Sequence, residues 1–157
     1  MSDKKIFIIA EIGSNHNGSL KLAKKLIVAA KNCGCDSVKF QSWDETLNSD
    51  LVYKKDKKIL KEYLKYKLNF KKLKFLRNFA KKKKIKFGTA VFNLSQLKEA
   101  IKIKCDFIKI ASMDFNNYEL LNAASKTKLP LIVSTGFANK DELVFGLKFL
   151  KKRRKKN

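Results

Sequence analysis

Two lysines stand inside apolar runs where a buried strand is expected. Lys39 lies between Val38 and Phe40, and Lys109 between Ile108 and Ile110. An ammonium group there is costly unless a carboxylate pairs with it or an anionic ligand meets it. Each apolar run of this chain ends in polar company. Ile6 to Ala10 passes into Glu11, Gly13, Asn15 and His16; Lys39 is followed by Gln41, and Lys109 by Ser112. The run from Ile85 reaches Gly88 and Thr89, and the run from Leu131 reaches Ser134, Thr135 and Gly136. Cations, hydroxyls and loop amides of this kind suit a small substrate bearing phosphate and carboxylate groups. Lysine also forms Schiff bases, so the residue types alone leave both chemistries open. Glu11 reads either as the partner of a core lysine or as a group acting on a ligand. His16 is the one histidine, so a His-rich metal site cannot be assembled around it, and a loop hydrogen bond is as good a reading as chemistry. Thr89 and Ser112 suit backbone satisfaction equally well. Neither a GxxxxGK phosphate loop nor a GxGxxG dinucleotide pattern is present.

Positioning these residues requires strands alternating with helices. Residues 5–12 predict a first strand, and Leu20, Ala23, Leu26, Ile27 and Ala30 predict a helix over 20–32 with Ser19 as N-cap and Gly34 as its stop. Residues 36–43 predict a second strand. A polar connection over 44–58 exceeds what a β/α unit needs and reads as a functional loop, followed by a short helix over 59–67. Asn69 then caps a helix whose buried stripe is Phe70, Leu73, Leu76, Phe79 and Ala80, ending in the charge run Lys81 to Lys84. Three more units follow: strand 85–92 with helix 94–103 (capped by Asn93 or Ser95), strand 107–112 with helix 118–126, and strand 131–135 with helix 141–152. The last residues, KKRRKKN, are expected to fray into solvent. Short strands alternating with helices predict an α/β fold, a doubly wound sheet or part of a barrel, with ligands at the C-terminal strand ends.

Composition narrows the class. The chain has 157 residues, 45% of them apolar, enough for a domain with a core and too apolar for disorder. No apolar run is long enough to span a membrane, and MSDKKIFII reads as a first strand, not a signal peptide. Three cysteines, Cys33, Cys35 and Cys105, form no CxxC pair and suit a reducing, cytoplasmic setting. The net charge of +23 points to polyanions, yet lysine supplies nearly all of it, with arginine only at 77, 153 and 154. That make-up favours a solvated lysine surface over specific nucleic-acid readout.

Four segments, AEIGSNHNG (Ala10 to Gly18), VKFQ (Val38 to Gln41), KIAS (Lys109 to Ser112) and LIVSTG (Leu131 to Gly136), together resemble the sialic acid synthase family, which includes N-acetylneuraminate, legionaminate and pseudaminate synthases. The motifs occur in the family's order, and the resemblance runs from the first strand to the helix after the fifth. It implies a (β/α)₈ TIM barrel that condenses phosphoenolpyruvate with the open-chain aldehyde of an N-acylated amino sugar, giving a nine-carbon 2-keto acid. Carried over to matching positions, Lys39 and Lys109 engage phosphoenolpyruvate, with Thr89, Ser112 and Ser134 around its carboxylate or phosphate. Glu11 lies beside the reacting carbons as the third catalytic group, and Asn15, His16, Gln41 and Gly136 are the remaining substrate-binding positions. Ala90 departs from the family, which has proline after the corresponding threonine. The family's divalent metal, manganese or magnesium, is held by two histidines of later strands, and its antifreeze-like domain meets the sugar; neither has a counterpart here. A whole barrel needs about 250 residues. The expectation is therefore a partial TIM barrel of about five β/α units over 1–152, a basic tail over 153–157, and a chain inactive by itself. The alternatives are an enzyme completed by a second chain or by self-association, and a basic module binding polyanions.

Overall fold

The computed structural model describes residues 6–41 and 64–154. The long connection and most of the short helix expected over 59–67 lie outside them. Among the described residues five strands and five helices alternate: β1 (Ile9–Gly13), α1 (Leu20–Asn32), β2 (Ser37–Gln41), α2 (Phe70–Lys82), β3 (Lys86–Val91), α3 (Leu94–Lys102), β4 (Phe107–Ile110), α4 (Tyr118–Ser125), β5 (Leu131–Val133) and α5 (Lys140–Arg154). The strands follow one another across one sheet in chain order, with β1–β2 and β4–β5 pairing parallel. The chain divides into two compact units at Gly88/Thr89, within β3.

Helix starts are written locally. Side chains of Ser19, Asn69, Asn93 and Asn117 each accept the backbone N–H three residues on, which satisfies one of the unpaired donors at a helix start. Asn93, not Ser95, caps α3. At α5 the exchange is reciprocal, Glu142 N–H to Asn139 Oδ1 at 2.9 Å and Asn139 N–H to a Glu142 carboxylate oxygen at 2.8 Å. Helix ends repeat one device as well. Gly34, Lys84 and Lys104 take positive φ, and the next residue donates back to the carbonyl five positions earlier: Cys35 to Ala30, Ile85 to Ala80, Cys105 to Ala100.

In the first unit Ala23, Ile27 and Ala30 of α1 and Leu73, Leu76 and Ala80 of α2 are buried together with Val38 and Phe40. Phe40 stacks on Phe87 at 5.1 Å between centroids. In the second unit Leu97, Ala100, Ile108, Ile110, Phe115, Leu120, Leu121 and Ala124 are buried. Gly146 lets α5 pass close to Phe115, since a Cβ there would stand 2.6 Å from the ring.

Several ends differ from expectation. The first strand starts at Ile9, because the Ile8 N–H is taken by the Asp36 carboxylate at 2.8 Å and not by a strand ladder. β4 stops at Ile110, and Ser112 opens a 3₁₀ turn over Ser112–Asp114. β5 stops at Val133. The final helix continues to Arg154, so the basic end does not fray at Lys151: the Arg153 guanidinium lies 3.4 Å from the Phe149 ring centroid and donates to Asn122 Oδ1 at 2.9 Å.

Candidate active site

β1 and β2 run parallel with Glu11 opposite Lys39, and the register slips between Glu11 and Gly13. That slip leaves Ile12 as an irregularity in the ladder, and Gly13, still opposite Phe40 and at φ 52°, ends the strand. Lys39 Nζ meets Glu11 Oε2 at 2.5 Å; the lysine side chain is 5% exposed and the glutamate 53%. The core lysine is therefore paired, and its partner faces solvent. Gln41 Oε1 accepts from the Ser14 hydroxyl at 3.2 Å, and a Cβ on Gly13 would lie 3.3 Å from Glu11 Oε1 and 3.8 Å from Gln41 Oε1. Glu11 and Gln41 thus border Gly13, whose φ of 52° favours glycine, and Lys39 and Ser14 engage the same two side chains. Ser14 is a site neighbour that the residue pattern did not single out.

The loop after β1 is two linked turns, closed by Asn17 N–H to Ser14 O at 3.0 Å and Ser19 N–H to His16 O at 2.8 Å. Asn15 is exposed at its tip. His16 has no accessible surface: its Nδ1 accepts the Gly18 N–H at 3.0 Å, its ring lies 5.9 Å from Phe40, and Nε2 is buried without a hydrogen-bond partner. The histidine braces the loop from behind.

Burial holds the His16 imidazole below its ordinary pKa of 6.5; the Gly13 main chain opposes this in part and the Lys72 charge adds to it. The folded state stays neutral where the unfolded chain takes a proton, so stability rises with pH up to about 6.5 and is lost as pH falls below it. The denaturant midpoint of the native chain is expected to be lower at pH 5.5 than at pH 7.5, and the difference to be smaller for His16→Gln. An equal drop in both would refute the assignment.

In the second unit Thr89 is fully buried on β3, its hydroxyl donating to the Ala90 carbonyl at 3.2 Å. Lys109 is half-buried on β4 opposite Ile132 of β5. Ser112 Oγ accepts the Gly136 N–H at 3.3 Å, and the Ser134 N–H donates to Ile110 O at 3.0 Å, so Ser112, Ser134 and Gly136 gather where β4 and β5 end. Thr135 is exposed beside them. Asp114, which the residue pattern did not single out, has Oδ2 buried without a hydrogen-bond partner, and burial raises its carboxyl above the ordinary range against a lowering bond from Asn117.

Among the described residues no three His, Cys, Asp or Glu side chains gather as a metal ion would need. The one histidine is buried with Nδ1 engaged, so these residues do not fit a divalent ion. No helix among them is long and apolar enough to cross a membrane.

Residues 26–157 match the NeuB family. The chain belongs to that family. It is 38% identical to the N-acetylneuraminate-9-phosphate synthase of Drosophila melanogaster over 83% of this chain and 38% of that one. It is 36% identical to the N,N'-diacetyllegionaminic acid synthase of Campylobacter jejuni, over 94% and 47%. A crystal structure of the N-acetylneuraminic acid synthetase of Leptospira borgpetersenii, in complex with citrate, superposes with a TM-score of 0.88 at 30% identity, covering 96% of this chain and 52% of that one. The chain thus spans less than half the length of these two curated relatives. Its five β/α units are part of a NeuB-type parallel β/α barrel.

Proposed function

We propose that this NeuB-family chain supplies the phosphoenolpyruvate-binding part of a synthase that joins phosphoenolpyruvate to the open-chain aldehyde of an N-acylated amino sugar. The observation that carries the reading is Lys39, an almost buried ammonium whose one-sided partner, Glu11, is open to solvent. A multiply charged anion competes well for such a lysine, because the glutamate regains water when displaced. In this reading Lys39 and Lys109 offset phosphate and carboxylate charge. In the second unit the hydroxyls of Thr89, Ser112 and Ser134 and the Gly136 N–H suit phosphate or carboxylate oxygens, while Gln41 and Asn15 border the sugar. His16, being buried, shapes the loop. Glu11, released from Lys39, is the proton-transfer or positioning group.

C3 of phosphoenolpyruvate bonds to the aldehyde carbon, whose oxygen takes a proton; water adds at C2, and the C2–O bond breaks to release phosphate. Alignment of the two carbons and neutralisation of charge are what the chain's residues contribute. The three free cysteines suit a cytoplasmic setting.

Apolar side chains exposed on β5 and after it, Ile132 at 37% and Phe137 at 79% with Val144 and Leu147 on α5, suit cover by further β/α units, on this chain or a second one. The 157-residue chain, given phosphoenolpyruvate, an N-acylated amino sugar and manganese, is accordingly expected to release no phosphate above the enzyme-free rate. Release that disappears on Lys39→Ala would overturn the expected inactivity while supporting the site.

A further inference from the structure

α1 and α2 pack side by side in the first unit, and their outer faces form a groove of about 440 Å³ lined by Lys21, Lys24, Lys25, Val28 and Phe79. A second hollow of about 380 Å³, bordered by Phe75, Phe79, Lys81 and Lys82, shares Phe79 with it. Neither helix contains an aspartate or glutamate over its whole length. Phe75 is 47% exposed although α2 has a complete buried stripe without it. Lys24 Nζ stands 6.0 Å from the Phe75 ring centroid and 5.5 Å from that of Phe79, and Lys83 Nζ stands 5.7 Å from Phe79. None of these residues belongs to the strand-end set of the candidate active site.

We propose that this groove binds single-stranded nucleic acid, independent of base sequence. Lysines on two helices that carry no carboxylate track a phosphodiester chain, and an exposed phenylalanine beside them offers a face on which any base can stack. The ammonium groups now over the rings are no obstacle. An exposed cation–π contact is worth about 0.5–1 kcal/mol, whereas base stacking on an aromatic ring is worth about 1–3 kcal/mol, and a lysine drawn off the ring gains a phosphate in exchange. Lysine in place of arginine suits backbone contact without base readout.

The test is fluorescence anisotropy of a labelled oligouridylate of about a dozen nucleotides, titrated with the full chain over a range of salt. Lys21→Gln/Lys24→Gln/Lys25→Gln is expected to weaken binding at least about tenfold and to flatten the salt slope by about 2. A triple with the same net charge, Lys98→Gln/Lys126→Gln/Lys128→Gln, uses exposed lysines of other elements and is expected to change little. Phe75→Ala is expected to weaken binding about fivefold or more, with Phe75→Trp restoring it. Equal losses from the two triples, indifference to Phe75, or stronger binding to phosphatidylserine vesicles than to the oligonucleotide would overturn the proposal.

Discussion

Lys39→Ala is expected to weaken phosphoenolpyruvate binding sharply while leaving the fold in place. Hydrogen bonds to a charged group contribute about 1.5–3 kcal/mol each, so losing one such contact weakens a ligand roughly ten- to a hundredfold. The fold is expected to survive because Glu11, the ion-pair partner on β1, is already 53% exposed and readily hydrated. The measurement is isothermal titration of phosphoenolpyruvate into native and variant chains, with circular dichroism on the same samples. Saturable binding lost in the variant supports the strand-end site. A folded variant that binds as tightly as the native chain, or a folded native chain that does not bind, removes Lys39 from the proposed role.

Gly18→Ala is expected to cost the chain much of its stability. Gly18 has φ 74° and a Cβ there would overlap the Lys65 carbonyl oxygen, which is backbone and cannot swing aside. Strain of the left-handed conformation costs about 1–2 kcal/mol, and forcing backbone apart adds about 1–3 kcal/mol more. For a chain of this length each kcal/mol lowers the melting temperature by roughly 2–4 °C, so a drop on the order of 5–15 °C is expected. Gly34→Ala separates the two causes: Gly34 has φ 78° with nothing within 4 Å of an added Cβ. It should show the conformational cost alone, and equal drops in the two variants would refute the overlap at Lys65. The same substitution at Gly18 disturbs the N–H that His16 accepts, so the loop bearing Asn15 should loosen with it.

Much of this architecture was legible residue by residue because its signals are local. Asn69 and Ser19 cap helices through side chains that reach only three residues ahead, and the three-and-four spacing of Leu73, Leu76 and Ala80 marks a face whatever lies opposite. Lysines within apolar strands flagged a charge needing a partner, and polar residues after each strand marked one end of the sheet. Strand ends were less legible. Whether Ser112 continues β4 or opens a turn depends on neighbours far along the chain, and one of them is the Gly136 N–H that its hydroxyl accepts.

Thus the amino-acid sequence by itself determined the order of the elements, their caps and the kinds of chemistry collected at the strand ends, since each rests on residues within a few positions of one another. Only the tertiary structure decided partnership. Parallel register put Glu11 against Lys39 across 28 positions, packing buried His16 with its Nδ1 on the Gly18 N–H, and close approach to Lys65 made Gly18 obligatory. It also laid Phe79 of α2 beside the lysines of α1. These outcomes depend on which surfaces exclude water together, and that is a property of the packed chain, not of any short stretch of it.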